Sequence, residues 1–195
     1  MGDWLADRRT EAAAERILDA AEQLFTRHDA AAVGMNEIAR AAGCSRATLY
    51  RYFENRDALY SAYVHRETNR LFAEIGARLA EMPDARDPLV DGALLALRRV
   101  RDTPALVSWF AATASPIGAQ MAERSDVIHT LVEGFLAGLG DDQPGLTLRA
   151  RWLVRVLISL LQFPGRDDAD ERAMLEMFVA PTVGGYLRQP SRRGP

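Results

Sequence analysis

Arg46, Ala47, Thr48, Tyr50, Arg51 and Tyr52 crowd into one stretch of seven residues. They supply guanidinium forks, a hydroxyl, phenols and a small methyl, the set that hydrogen-bonds to base edges and phosphates in a major groove. Few enzymes need such a set. From Gly34 to Arg56 the arginines are Arg40, Arg46, Arg51 and Arg56, opposed by Glu37 and Glu54, whereas the whole chain has a formal net charge of -3. Positive charge is therefore focused on this segment rather than spread over the molecule.

These side chains need a frame. Ile38 and Ala39 share one face of a short helix that stops at Gly43, the residue type best suited to the positive φ of a sharp helix end. Ser45 offers an oxygen to the free amides of a second helix, in which Leu49 and Phe53 recur four apart and point inward. Ala39 lies at the crossing of the pair, where a larger side chain would splay it. The arrangement is a helix-turn-helix.

The run from Ile38 to Phe53, followed by Asn55, Arg56, Asp57, Ala58 and Leu59, resembles the N-terminal domain of the tetracycline-repressor (TetR) family of bacterial transcriptional regulators. The resemblance spans roughly residues 12 to 65 and includes a preceding helix striped by Ile17, Leu18, Ala21, Leu24 and Phe25. It implies that Arg46, Ala47, Asn36 and Tyr50 read bases, and that Ser45, Thr48, Tyr50, Tyr52 and Arg56 hold the backbone. Phosphate contacts set register and base contacts set sequence. Two positions depart from the family pattern. Gly34 stands where threonine commonly caps, at a cost of a few tenths of a kcal/mol, and Cys44 stands where valine is common. A lone cysteine is expected to pack as a small hydrophobe.

With 195 residues and 48% hydrophobic content, the chain can bury a real core without disulfides. The N-terminal ten residues carry Asp3, Asp7, Arg8 and Arg9, unlike a signal peptide. The apolar run Val156 to Leu161 is far short of the roughly 20 residues of a membrane span. A cytoplasmic protein without membrane contact is expected. All 24 cationic Lys+Arg residues are arginine, so every cation is a planar, permanently charged fork.

Apolar residues recur with helical period to the end of the chain, and no stretch alternates with period two. One long helix is expected from Arg56, capped by Asn55, to about Glu81. Further segments cover Leu89 to Val100, a stretch opened by Thr103-Pro104, a continuous stretch from Met121 through Phe135, about Leu146 to Phe163, and about Ala169 to Leu187. Asp168 with Glu171 looks like a capping box. The helix at Leu148 to Phe163 has apolar residues on most sides and should be widely buried. Pro181 should either kink the last helix or end it near Ala180. Trp4, Leu5, Arg8 and Arg9 form an arm ahead of the first helix.

The fold expected is all-α, with about nine helices. Residues 1–55 form a three-helix DNA-binding domain with its arm, residues 56–188 a larger helical ligand-binding and dimerisation domain, and residues 189–195 a disordered tail. The resemblance implies that the last two long helices pair with a second copy, with Leu153, Leu157, Leu160, Leu161, Leu175, Phe178 and Val179 at the interface. It also implies a small-molecule pocket, for which Trp109, Phe110, Met121, His129, Trp152 and Phe163 are the candidates, and a mostly apolar effector. The expected partners are thus double-stranded operator DNA, a small effector and a second copy.

No nucleophile elbow, phosphate loop, metalloprotease motif or paired cysteine is present. His28, His65 and His129 are widely spaced, and the Asp141-Asp142 and Asp167-Asp168 pairs suit loops better than metal. An enzyme is not expected, nor a metal or cofactor. The alternative within DNA binding is an architectural protein that relies on phosphate contacts alone and barely distinguishes sequences.

Overall fold

A computed structural model describes residues 4–82, 87–110, 117–140 and 144–183. Every regular element among them is helical. The expected tail at 189–195 lies outside the described residues.

The N-terminal unit contains α1 (Trp4–Phe25), a 3₁₀ turn (Ala30–Ala32), α2 (Met35–Ala41) and α3 (Arg46–Tyr52). Helix α1 already begins at Trp4, so the expected arm is helical backbone rather than a separate extended segment. Asp29 caps the 3₁₀ turn by accepting the Ala31 amide at 2.9 Å. Gly43, at φ +66°, takes the left-handed turn between α2 and α3. Cys44 is half-buried against the same core, as a small hydrophobe would be.

Helix α4 (Arg56–Ala80) is capped by Asn55, whose side-chain oxygen accepts the Ala58 amide at 2.8 Å. Its first half does not leave the N-terminal unit behind. Leu59, Tyr60 and Tyr63 share one core with Phe25, Ile38, Leu49 and Phe53, and α6 (Pro104–Phe110) adds Ala105, Leu106 and Trp109 to it. Phe25 is the centre, with the rings of Tyr60, Tyr63 and Trp109 at 5.4, 5.1 and 5.3 Å. Edge-on packing of this kind adds to the area term of aromatic burial.

A second core joins α5 (Pro88–Arg101), α8 (Asp126–Gly138), α9 (Leu146–Gln162) and the C-terminal helix. Gly92 of α5 leaves room for the Phe135 ring of α8, since a Cβ there would stand 2.6 Å from it. The expected continuous helix from Met121 through Phe135 is instead two, α7 (Ile117–Arg124) and α8. Ser125 separates them and caps α8 by accepting the Ile128 amide at 3.2 Å. A serine that can satisfy a free amide competes with helix continuation.

The C-terminal helix begins as α10 (Asp168–Met174), and its cap is Asp167, one residue before the expected Asp168. Glu171 is not a capping-box partner. It is buried, bonds the Gly165 amide at 2.9 Å and pairs with Arg101 of α5 at 2.7 Å. Glu171, Leu175, Val179 and Val183 recur every four residues, and all are buried. An α-helix drifts by about 40° over each such step. A π turn at Leu175–Val179, in which the Ala180 amide donates to the Leu175 carbonyl, removes that drift. The helix then continues as α11 (Ala180–Val183), so it does not end at Ala180, and the irregularity at Pro181 is absorbed by the wider turn just before it.

Candidate nucleic-acid interface

Helix α3 is held down by buried Leu49 and, just past its end, by buried Phe53. Thr48 and Tyr52 are half-buried, Tyr52 against the same core, and the rest of its surface is exposed. Ser45 accepts the Thr48 amide at 3.0 Å, and the two hydroxyls lie 2.9 Å apart, so this pair first builds the helix start. Arg46, Ala47, Tyr50 and Arg51 are exposed, and Asn36 is exposed on α2. The Arg46 guanidinium stands 5.3 Å from the centre of the Tyr50 ring, and Arg51 lies at the same distance over Tyr52. Each arginine is thus half pre-organised by a phenol while its donors stay available.

Arg56, expected at the DNA backbone, has partners within the chain. Its guanidinium turns inward, donating to the Ala30 carbonyl at 3.0 Å and to the Ala31 carbonyl, and lies 4.8 Å over the Tyr60 ring. The Tyr60 hydroxyl donates to the Ala30 carbonyl and to that of Val33 at 3.1 Å. Burial raises the Tyr60 pKa, so the phenol remains a donor. Arg56 and Tyr60 therefore clamp α4 to the link between α1 and α2.

Sequence reasoning missed a second tie. Arg66 of α4 bonds Glu15 at 3.1 Å, Asp19 at 2.7 Å and Glu22 at 2.8 Å, all on one face of α1. It also lies 3.3 Å from Glu67, which is itself buried and paired with Arg70 at 2.7 Å. The signal was present as acids at i, i+4 and i+7 on α1, but their partner lies more than forty positions away.

The six expected pocket residues are dispersed. Trp109 and Phe110 line a cavity of about 60 Å³ together with Val64, Glu67, Leu71 and Ile128. Met121 lines a different, open cleft of about 600 Å³ between the first half of α4 and the junction of α7 with α8. His65 spans that cleft, its Nε2 2.9 Å from the Ser125 hydroxyl, and burial lowers its pKa. His129 is half-buried and lines none of these spaces, with no partner for its Nε2. Trp152 and Phe163 are exposed on α9 and belong to no cavity shared with Trp109.

Exposure also corrects the expectation that α9 is widely buried. Leu148, Trp152 and Phe163 are exposed, as are Met177 and Phe178 of the π turn. A groove of about 330 Å³ runs between the two helices, lined by Trp152, Val156, Ser159, Met174 and Phe178. Of the seven expected interface residues, Phe178 is exposed and Leu157 and Leu161 are half-buried. Leu153, Leu160, Leu175 and Val179 are closed into the chain's own core and support that face from beneath.

A helix pair with this turn, cap and exposed arginine edge, mounted on a larger helical body, defines a helix-turn-helix transcriptional regulator. The family model described as "Bacterial regulatory proteins, tetR family" matches residues 17–63. An "Uncharacterized HTH-type transcriptional regulator" of Mycobacterium tuberculosis is 59% identical over 182 residues, 93% of this chain and 90% of the relative. The chain belongs to the TetR family of bacterial transcriptional regulators. The crystal structure of the TetR family repressor AlkX from Dietzia is similar, with a TM-score of 0.69 and 25% identity over 90% of this chain and 97% of that one. A crystal structure of RolR in complex with resorcinol shares the fold at TM-score 0.68 and 18% identity, covering 94% and 97%. The protein is a regulator, not an enzyme. No helix among the described residues is long and apolar enough to cross a membrane.

Proposed function

We propose that the protein is a repressor that binds a palindromic operator as a homodimer and is released by a small, mostly apolar effector. The observation that carries the reading is the edge of α3, on which Arg46, Ala47 and Tyr50 stand exposed while Leu49 and Phe53 anchor the helix from below. Arg46 and Ala47 in the first turn, with Tyr50 and Asn36, face bases, and Ser45, Thr48 and Tyr52 hold phosphates. Arg56 acts through the clamp to Ala30 and Ala31 instead. A single such unit reads one half-site, so two-fold pairing is required to read a palindrome with half-sites about 34–36 Å apart.

The exposed Trp152 and Phe178, which line one groove, support self-pairing, since a lone chain would leave them in water. The mostly apolar lining beside Trp109 and Phe110 suits an effector with little polarity, although the space there, about 60 Å³, would have to widen to admit one. The likeness to AlkX of Dietzia, a repressor implicated in biodegradation of n-alkanes, agrees with both repression and an apolar effector. The effector acts by preferring the dimer whose reading units are out of register, and weakens operator binding by no more than that preference.

The test is selection of bound duplexes from a random library at near-physiological salt. The expected result is a palindrome with half-sites about one helical turn apart. Sequence-tolerant binding that collapses with salt would replace this reading with the architectural one.

A further inference from the structure

We propose that Arg66 is the positioning residue that fixes the angle of the DNA-reading unit on the body of the protein, and hence the half-site spacing a dimer accepts. The inference rests on the dimeric operator reading above. Between α3 and α4 the chain passes only through Phe53, Glu54 and Asn55, and so short a covalent link permits many angles. Non-covalent ties must choose one.

Three ties do so along α4. The Arg56 and Tyr60 clamp grips the link between α1 and α2 at the first turn. The rings of Phe25, Tyr60, Tyr63 and Trp109 pack in the middle. Arg66 grips α1 itself, ten residues beyond Arg56 and therefore roughly 15 Å along the helix. Arg66, with the weaker contact of Arg70 to Glu22 at 3.7 Å one turn further on, grips far from the pivot, where a tie limits rotation most.

The chemistry of the Arg66 tie is specific. Glu15, Asp19 and Glu22 form one acidic stripe on α1, and a single guanidinium, with its side chain only 8% exposed, meets all three at 2.7 to 3.1 Å. A planar fork can hold several carboxylates at once in fixed directions, which an ammonium cannot. Glu67 and the Tyr63 ring, 5.6 Å from the Arg66 guanidinium carbon, hold the fork on its own helix. Without Arg66 the stripe keeps only Arg70, 3.7 Å from Glu22, and the three acids repel. The geometry is that of a latch between the moving part and its lever.

The experiment uses full-length protein and the operator found by selection, with its half-sites moved apart or together by one and two base pairs. Arg66→Met is compared with the triple variant Glu15→Gln, Asp19→Asn, Glu22→Gln, which opens the latch from the solvent side, and with Arg78→Gln, which removes only a surface pair with Glu74. Wild type and Arg78→Gln should lose at least about tenfold in affinity for each base pair of displacement, because the helical phase is lost. Both latch variants should bind the best spacing about tenfold more weakly, yet vary less than about threefold between spacings, while a duplex with one half-site binds as in wild type. Folded, dimeric latch variants with the wild-type spacing dependence would overturn the inference alone. A wild-type protein that selects no two-fold site overturns the operator reading and this inference with it.

Discussion

Arg46 and Arg56 have the same chemistry and stand ten residues apart, yet they lie in opposite surroundings. Arg46 is exposed beside Tyr50, and Arg46→Ala should cost about 1–3 kcal/mol at one base position in each half-site, as read by binding to base-substituted duplexes. Arg56 is tied to two carbonyls, so Arg56→Ala should leave the slope of affinity against salt unchanged. It should lower thermal stability by roughly 2 kcal/mol, the scale of charged hydrogen bonds. A flattened slope would instead make Arg56 a phosphate contact. Glu171 offers a pH test. The hydrogen bonds from Arg101 hold its carboxyl below the usual glutamate range against the opposing effect of burial. A carboxyl with a depressed folded pKa stabilises at neutral pH, and that contribution is lost as pH falls through the lowered value. Glu171→Gln should therefore cost roughly 1–3 kcal/mol at pH 7, and denaturant midpoints of variant and wild type should converge below the ordinary glutamate range.

Element boundaries follow local chemistry closely. Ser45, Asn55, Asp87, Ser125 and Asp167 each accept an amide two or three residues into the helix that follows. Ser45→Ala should cost about 1 kcal/mol, a fall of about 2–4 °C in melting temperature for a chain of this size. Gly43→Ala should cost at least as much, because a Cβ in the left-handed region is strained by about 1–2 kcal/mol. Both are read by thermal denaturation, and both should weaken DNA binding, since each misplaces the start of α3. Where local cues compete, the elements were harder to read. Ser125 lies inside an unbroken apolar pattern, yet divides it. At Pro181 the pattern allowed a kink or an end, and the π turn became visible only from the four-residue recurrence of Glu171, Leu175, Val179 and Val183 on a buried face.

Across the whole molecule, the outward apolar face is the feature that most needs a partner. Trp152 is 53% exposed and Phe178 63% exposed, on adjacent helices with a groove between them. A double variant, Trp152→Glu with Phe178→Glu, should sediment as a folded monomer and lose binding to the full palindrome, while a single half-site is still bound with low affinity. A dimer that survives both changes would put the self-pairing surface elsewhere. The same scale explains why the pocket candidates dispersed. Aromatic residues at helical spacing all look core-facing, but a helix has two sides, and only packing decides which side meets the interior.

The helix-turn-helix was legible from Gly34 to Arg56 because its signals are local: a glycine at the turn, a serine cap, and two inward side chains four apart. The all-helical character, the cap at Asn55 and the end of the long helix near Glu81 were legible for the same reason, since backbone hydrogen bonds and caps act within a few residues. What only the tertiary structure decided depends on partners distant in sequence. Arg56 turned inward to Ala30 and Ala31, Arg66 gathered Glu15, Asp19 and Glu22, and Glu171 reached Arg101. An arginine or a glutamate reads alike in the sequence whether it is solvated or paired, because charge is a property of the residue and its partner is a property of the fold.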